Sequence, residues 1–268
     1  MPIIALHSAA TGLTALNTKL DIIAHNLANV NTVGFKSSRA NFQDLLYQQK
    51  KLPGVENSNG DERPTGLLIG LGVKVSGTQL NFSQGSLQTT GNSLDLAIEG
   101  EGFFQIEVED DLGQGGIAYT RAGNFVLNSE GEIVLATDQG RRLSGGFQIP
   151  EGSQVEISAT GEVLVLEPGQ AEPTSIGVIE LAIFRNQTGL KQIGENLFVE
   201  TAASGPPITG EPGQEGIGRI LSGVLESSNV DPTMELIDLI KTQRAFEMNS
   251  NVIRAADETL QAVAQLRR

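Results

Sequence analysis

The sequence predicts an α+β protein, with N- and C-terminal long helices pairing as a coiled coil and a central all-β domain between them. Three observations support this class. Apolar residues near the N-terminus recur at alternating spacings of three and four, and the C-terminal segment follows a helix-start signal without any later breaker. The residues between these segments alternate in polarity with a period of two, which is typical of strands.

The N-terminal segment carries an apolar heptad stripe. Pro2 suits a first helical turn, and Gly34 suits a helix stop. We therefore expect a helix over about residues 3–31 inside an N-terminal coiled-coil domain, residues 1–34. The stripe consists of Leu6, Ala9, Leu13, Leu16, Leu20, Ile23, Leu27 and Val30.

The C-terminal segment has its own helix-start signal. Asp231 is a good N-cap, and Pro232 fits the first helical position. We expect a C-terminal coiled-coil domain, residues 227–268, that packs with 1–34. One seven-residue row is apolar throughout, and Asn249 in the second row is a candidate for setting the register. The rows are Leu239, Phe246, Ile253 and Leu260, and Glu235, Thr242, Asn249, Ala256 and Val263.

The middle of the chain, residues 84–226, is predicted to be β-rich. Alternating polarity predicts two half-buried strands, at 94–99 and 104–108, and Gly-Glu pairs predict two similar hairpins, at 125–135 and 155–165. Further strands are expected at 178–184 and 197–201, and a surface loop at 203–216.

Residues 35–83 are predicted to form a connector with an extended arm. Within them, residues 48–66 lack apolar periodicity and contain two Pro and three Gly. Such a composition favours an extended loop.

Composition limits the classes of function. The formal charge of −14 disfavours nucleic-acid binding, because phosphate contacts require clustered Lys and Arg. The absence of Cys excludes disulfides and thiolate ligands. The N-terminus lacks the basic region of a cleaved signal peptide, and no window is apolar enough for a membrane span, so we expect a soluble chain with no transmembrane segment.

No residue set predicts catalysis, a cofactor or a metal ion. His7 and His25 lie about five helical turns apart and cannot share a metal ion within one chain. Gly70 and Gly72 belong to an incomplete glycine motif and are better explained as turn residues. The predicted catalytic, cofactor-binding and metal-ligating residues are therefore none.

Periodicity alone leaves two arrangements of the helices equally open. The two helices could pack antiparallel inside one domain, or they could leave apolar surface for neighbouring copies. Because the helices lie at opposite chain ends, we favour contacts between copies.

Several stretches resemble the flagellar basal-body rod protein family. Residues 21–47, DIIAHNLANVNTVGFKSSRANFQDLLY, resemble its N-terminal signature, and residues 226–250, ESSNVDPTMELIDLIKTQRAFEMNS, resemble its C-terminal signature. GNSLDLAIEGEGFFQI at 91–106 and YTRAGNFVLNSEGEIV at 119–134 extend the likeness to the middle. The arm at 48–66 is similar to the segment that is characteristic of distal-rod members.

The resemblance implies a structural subunit of the distal rod, a rigid hollow helical polymer that transmits torque to the hook. It implies export through the flagellar type III apparatus, without a cleaved signal peptide, and assembly in the periplasm. The implied partners are further copies of the chain, proximal rod proteins, the hook protein and the surrounding bushing rings.

The same resemblance suggests two groups of site residues. The expected subunit interface consists of Leu13, Leu16, Leu20, Ile23, Leu27, Phe246, Ile253 and Leu260. The family signature turn consists of Asn26, Asn29, Asn31, Gly34, Phe35 and Lys36, and would join the coil to the β domain.

Three alternatives remain at this point. The chain could be a proximal rod or hook-type axial subunit, although it has no room for an added outer hook domain. It could be a secreted β-rich binding module whose terminal helices form a small closed oligomer. A hydrolase that uses clustered carboxylates is third, and would need a concave pocket joining two of them.

Overall fold

The chain folds into an N-terminal helix, a strand-rich middle and a C-terminal helix, which confirms this part of the predicted fold class. The computed structural model describes residues 2–54, 64–109, 114–170, 172–214 and 216–266. They divide into two compact units. Unit 1 comprises Met1–Leu27, Ser38–Gln79 and Asp231–Arg268, and unit 2 comprises Ala28–Ser37 and Leu80–Val230.

The N-terminal helix is α1, Pro2–Ala28. It ends three residues before the predicted end, because a turn follows in which Thr32 N donates to Asn29 O at 3.2 Å. Unit 1 also contains four strands in two-stranded sheets, β1 with β4 and β2 with β3. They are β1 Ser38–Asp44, β2 Tyr47–Lys51, β3 Leu67–Gly70 and β4 Val73–Leu80.

The prediction of a loop over 48–66 was wrong at its start. Residues 48–51 lie in β2, where Gln48 pairs with Ile69 and Gln49 with Leu68. The polar sequence hid this strand because its side chains are exposed, so no apolar alternation was present to mark it. Residues 55–63 of the predicted arm lie outside the described residues.

Unit 2 contains fifteen described strands and two short 3₁₀ turns, Gln114–Gly116 and Gln187–Gly189. The strands are β5 Leu87–Thr89, β6 Leu96–Glu99, β7 Phe103–Glu107, β8 Ile117–Thr120, β9 Phe125–Leu127, β10 Ile133–Leu135, β11 Gln154–Ile157, β12 Glu162–Leu166, β13 Thr174–Val178, β14 Leu181–Ile183, β15 Lys191–Gly194, β16 Leu197–Val199, β17 Ile208–Gly210, β18 Arg219–Ser222 and β19 Val224–Glu226. The C-terminal helix of unit 1 follows as α2, Pro232–Leu266.

The largest sheet of unit 2 has six strands in the order β15-β16-β8-β7-β14-β17. Smaller sheets have the orders β11-β12-β13, β10-β9, β18-β6 and β19-β5, and the pairings within them are antiparallel. Both predicted hairpins are confirmed: Ile133 pairs with Leu127, and Ile157 pairs with Val163.

Strands β6 and β7 are buried on both faces, so the prediction that each is half-buried was wrong. Phe104 and Ile106 join one apolar cluster, while Phe103 joins a second cluster with Tyr119 and Phe198. Residues 103–106 of β7 are therefore all buried, and so are residues 96–98 of β6. Residues of both alternating sets can be apolar or small where each face meets a core.

Two other strand predictions need adjustment. The strand expected at 178–184 is split, because β13 ends at Val178 and β14 begins at Leu181. The loop expected at 203–216 contains β17, in which Thr209 pairs with Ala182. Its exposed edge position and the flanking Pro and Gly residues concealed this strand.

The predicted start of the C-terminal helix is confirmed. The Asp231 carboxylate accepts hydrogen bonds from Thr233 N at 2.9 Å and Met234 N at 3.2 Å. These bonds satisfy two backbone donors that have no partner within the helix. Among the described residues, no helix is both long and apolar enough to span a lipid bilayer.

Candidate functional site

A buried charge cluster lies in unit 2. Lys36 Nζ donates to Glu226 Oε1 at 2.6 Å, and both side chains are 0% exposed. Arg121 Nη1 lies 3.5 Å from Glu226 Oε2. One carboxylate therefore neutralises two buried cations only in part, and such groups persist only where hydrogen bonds replace lost hydration.

Backbone groups supply further hydrogen bonds to the charged side chains of the cluster. Lys36 Nζ also donates to Ser83 O at 2.9 Å, and Gly85 N donates to Glu226 Oε1 at 2.8 Å. Arg121 Nη2 donates to Gly100 O at 2.7 Å, whereas its Nε is buried without a partner. Burial lowers the pKa of Lys36 and that of Arg121, and Glu226 opposes both shifts.

The side chain of Asn229 forms further hydrogen bonds in the same region of unit 2. Its Oδ1 accepts from Ser37 N at 2.7 Å, and its Nδ2 donates to Asn81 O at 2.7 Å and to Ser83 O at 3.1 Å. The segments 34–37, 81–86 and 226–229 are thus bound to one another inside unit 2. The chain passes between the two units four times, and three of these passages, at 37/38, 79/80 and 230/231, lie at or within one residue of an end of these segments. We call this set of contacts the three-segment clamp.

Gly34 fits the clamp because it has no side chain. Its φ is +68°, and a Cβ there would lie 2.5 Å from Ala122 N. Its own N–H donates to Glu226 O at 2.8 Å. Both the left-handed conformation and the close backbone approach require glycine.

Unit 1 contains a second polar arrangement, at the end of α1. Asn26 is buried, and its Nδ2 donates to Ser38 O and to Glu235 Oε1, both at 2.9 Å. Its Oδ1 accepts from Ser38 N at 2.9 Å. One side chain thus joins the end of α1, the start of β1 and the first turn of α2.

A further contact joins α1 to α2 near the middle of each helix. A Cβ placed on Gly12 would lie 3.1 Å from Asn249 Nδ2. From Gly12 to Asn26 and from Asn249 to Glu235 the separation is fourteen residues, in opposite chain directions. The two contacts therefore describe antiparallel helices, and fourteen residues equal two heptads.

The predicted interface residues lie within unit 1 and are covered to different degrees. Ile23 is 4% exposed. The others are half-buried: Leu13, Leu16, Leu20, Leu27, Phe246, Ile253 and Leu260.

The signature residues do not form one continuous turn. Asn26 belongs to α1 in unit 1, whereas Gly34, Phe35 and Lys36 are buried in unit 2. Asn31 is exposed and Asn29 is half-buried. The structure brings Lys36 together with Glu226 and Arg121, which sequence reasoning did not single out. Glu226 opens the C-terminal signature, but no local pattern marked its partner.

Charge is distributed unequally between the units. Unit 2 contains 7 Lys and Arg against 21 Asp and Glu, whereas unit 1 contains 11 of each type. The entire formal charge of −14 therefore resides in unit 2. Among the described residues, no group of His, Cys, Asp or Glu is arranged to hold a metal ion.

Three family models match the chain. They are the flagella basal body rod protein at residues 6–36, the flagellar hook protein FlgE/F/G D1 domain at 97–165, and the flagellar basal body rod FlgEFG protein C-terminal at 221–266. The matched segments contain Lys36, Arg121 and Glu226, the three charges of the buried cluster.

Individual relatives extend the similarity over nearly the full length. The chain is 46% identical to flagellar basal-body rod protein FlgG of Caulobacter vibrioides over 98% of its length and 99% of the relative's. It is 44% identical to the protein of the same name in Agrobacterium fabrum, over 97% and 98%. Identity to flagellar basal-body rod protein FlgF of Caulobacter vibrioides is 32%, over 95% and 93%.

The chain belongs to the flagellar basal-body rod protein family. The matches confirm the predicted function, a structural and non-enzymatic subunit of the flagellar distal rod. In Caulobacter vibrioides the greater similarity is to FlgG rather than to FlgF.

Proposed function

We propose that this subunit self-assembles into a rigid hollow helical drive shaft that transmits torque to the hook. The paired terminal helices form the inner wall, and the β domain and the 48–66 arm lie outside it. The division into residues 1–34, 35–83, 84–226 and 227–268 describes the coil, connector, β domain and coil of this arrangement.

The antiparallel contacts of α1 and α2 support a coiled coil. The members of the two predicted heptad rows from Glu235 to Leu260 are all half-buried or buried, with Thr242 2% exposed. Asp238, Ala245 and Ser250, outside the rows, are half-buried as well. Only part of the apolar surface of the helices is covered inside one chain, since Leu13, Leu16 and Leu20 stay half-buried. Burial of the remaining area would stabilise contact with another copy by about 25 cal/mol per Å².

The interface of this proposal consists of the eight residues expected from sequence, Leu13, Leu16, Leu20, Ile23, Leu27, Phe246, Ile253 and Leu260. The signature residues Asn26, Asn29, Asn31, Gly34, Phe35 and Lys36 hold the connection between coil and β domain. The bonds of Asn26 in unit 1 and of Lys36 in unit 2 support this assignment. The three-segment clamp holds together three segments of unit 2 that adjoin its passages to unit 1.

The subunit reaches the periplasm through the flagellar export apparatus. In the basal body it contacts proximal rod proteins, the hook protein and the surrounding bushing rings. The rod names of its relatives and its family support this location.

The proposal rests on two contacts between α1 and α2, that of Asn26 with Glu235 and that of Gly12 with Asn249. The two contacts lie two heptads apart and set the helices antiparallel. Deleting residues 255–268 tests it. We expect an intact strand-rich unit by circular dichroism but no polymers by sedimentation and electron microscopy. Loss of the whole fold would count against the proposal, and a small closed oligomer of the full chain would favour a binding module instead.

A point variant gives a milder test. Leu20→Asp places a carboxylate on the half-buried stripe, whereas Asn17→Asp places one on an exposed position of the same helix. We expect the first variant to abolish polymers and the second to retain them. Equal polymerisation of both would contradict the assignment of the leucine stripe to the interface.

A further inference from the structure

The last two strands of unit 2 pair with its first two. β18 pairs with β6 and β19 pairs with β5, both antiparallel. Among the described residues, β5 and β6 pair with no other strand. We call residues 219–229, which include β18 and β19, the closing segment. The first strands of unit 2 therefore stay unpaired until the final residues of the unit arrive.

The closing segment also supplies the counterion of the buried charge cluster. In the described part of the chain, Glu226 is the only carboxylate that forms an ion pair with Lys36 or Arg121. Glu226 follows Arg121 by 105 residues and Lys36 by 190. Before it arrives, backbone carbonyls alone would accept from the two cations, and burial of unpaired charges is strongly unfavourable.

The dependence on charge is one-sided. Without Lys36, the side chains of Arg121 and Glu226 would remain an ion pair. Without Glu226, two cations would be buried together, and a guanidinium does not lose its proton in a protein. The Nε of Arg121 is buried without a partner even in the complete fold. A unit without its closing segment is therefore much less stable than a unit without Lys36.

One apolar cluster connects the closing segment to distant strands of the unit. Ile220 of β18 is 1% exposed and shares this cluster with Val163 and Val165 of β12. Its backbone N–H donates to Ala159 O, in the turn between β11 and β12, at 3.2 Å. Departure of the closing segment would open this core to water, so its effect extends beyond the ends of the unit.

We propose that Glu226 controls the folding of unit 2, which becomes stable only when the closing segment brings this carboxylate to Lys36 and Arg121. Folding then requires almost the complete sequence of the unit. A chain exported with its N-terminus leading would stay extended until residue 226 has left the channel. This consequence rests on the proposed export, whereas the folding dependence rests only on contacts within unit 2.

Amide hydrogen exchange of the full chain in dilute solution, resolved by peptide mass spectrometry, tests the dependence without export or polymers. We expect Glu226→Gln to accelerate exchange in β12 by about 100-fold or more, as much as in β6 beside the cluster. Glu99→Gln is the matched control, because its exposed partner Arg219 also belongs to the closing segment. We expect it to accelerate exchange in β12 by less than about tenfold.

A charge-free variant separates charge balance from lost contacts. Lys36→Met/Arg121→Met/Glu226→Gln removes more hydrogen bonds than Glu226→Gln alone, but it leaves no buried cation unpaired. We therefore expect β12 in this triple variant to exchange about tenfold more slowly than in Glu226→Gln. If Glu226→Gln does not fold at all, the triple variant is expected to regain protected amides in β12.

Two results would overturn the inference. The first is accelerated exchange that stays confined to residues 34–37 and 219–229 of Glu226→Gln while β12 is unchanged. The second is a triple variant that exchanges no more slowly than Glu226→Gln, or that regains no protection. A chain that is not exported would remove the proposed route to the periplasm but would leave these exchange results unaffected, so the two failures are distinguishable.

Discussion

Lys36 and Glu226 form a buried ion pair across most of the chain length. Lys36 Nζ donates to Glu226 Oε1 at 2.6 Å, and the two residues are 190 positions apart in sequence. With Arg121 they place two cations beside one carboxylate, all within the strand-rich unit. The pair therefore links the N-terminal and C-terminal signature segments inside that unit.

Removal of the carboxylate is expected to cost more than removal of the lysine. Glu226→Gln leaves two buried cations without a counterion, and we expect unfolding free energy to fall by about 3–5 kcal/mol. Lys36→Met leaves Arg121 paired with Glu226, so its loss is smaller. Denaturant unfolding followed by circular dichroism measures both.

Glu99→Gln provides the matched control for this comparison. Its ion pair with Arg219 is exposed, with the Glu99 and Arg219 side chains 43% and 61% accessible, and solvent screening should make its loss much less costly than that of the buried pair. An effect of Glu226→Gln no larger than that of Glu99→Gln would show that the buried cluster does not stabilise the unit.

Gly34→Ala is expected to destabilise unit 2 strongly. Alanine at φ +68° is strained, and its Cβ would collide with the backbone at Ala122. The strain and the collision together predict a loss of about 3 kcal/mol. Gly205→Ala has a similar φ of +77° but open space around the Cβ, so it isolates the strain alone. Equal losses in thermal unfolding would argue against the close approach.

The two tyrosines should titrate differently, and the absence of Trp makes their ultraviolet absorbance easy to separate. Burial, assisted by Glu200, raises the pKa of Tyr119 to about 12. A tyrosine in an unfolded chain has a pKa of about 10. The raised pKa of Tyr119 therefore contributes stability that is fully present below about pH 10 and is lost as the pH rises toward 12.

A Tyr47→Phe variant leaves Tyr119 as the only phenol for measurement at about 295 nm. We expect no ionisation until about pH 12, or until the chain unfolds. Ionisation of Tyr119 at its unperturbed pKa in a chain that is still folded would contradict its burial beside Glu200.

Polymerisation should strengthen with salt. Each copy carries −14, all of it in unit 2, and salt screens repulsion between copies. The screening length falls from about 30 Å at 0.01 M to about 10 Å at 0.1 M. We expect polymer mass in sedimentation to rise over this range, and less so when exposed Glu156, Glu172 and Glu180 are replaced by Gln. Polymers that dissolve as salt rises would indicate that contacts between opposite charges hold the copies together.

Local signals in the sequence were sufficient for the helices and the hairpins. Asp231 and Pro232 marked the start of α2 because capping depends on adjacent residues. Alternation failed for β6 and β7, whose residues contact apolar clusters on both faces. No local sequence pattern could reveal that Lys36 pairs with Glu226, because the two residues are 190 positions apart and meet only when the strands fold together.

The sequence also did not show which face of each helix contacts the other helix. Heptad spacing marked the leucine stripe of α1, yet Gly12 and Asn26, one residue before two of its members, contact α2. A shift of one residue turns a helix face by about 100°, and spacing alone does not reveal which neighbouring helix lies opposite.

The arrangement of the polymer wall tests the central claim most directly. Helical reconstruction by electron cryomicroscopy of polymers grown from the purified full chain would locate α1 and α2 relative to the channel. We predict that both helices line the channel, in contact with the helices of another copy, and that the strand-rich unit lies outside. A channel lined by the strand-rich unit, or helices that contact no other copy, would contradict the account.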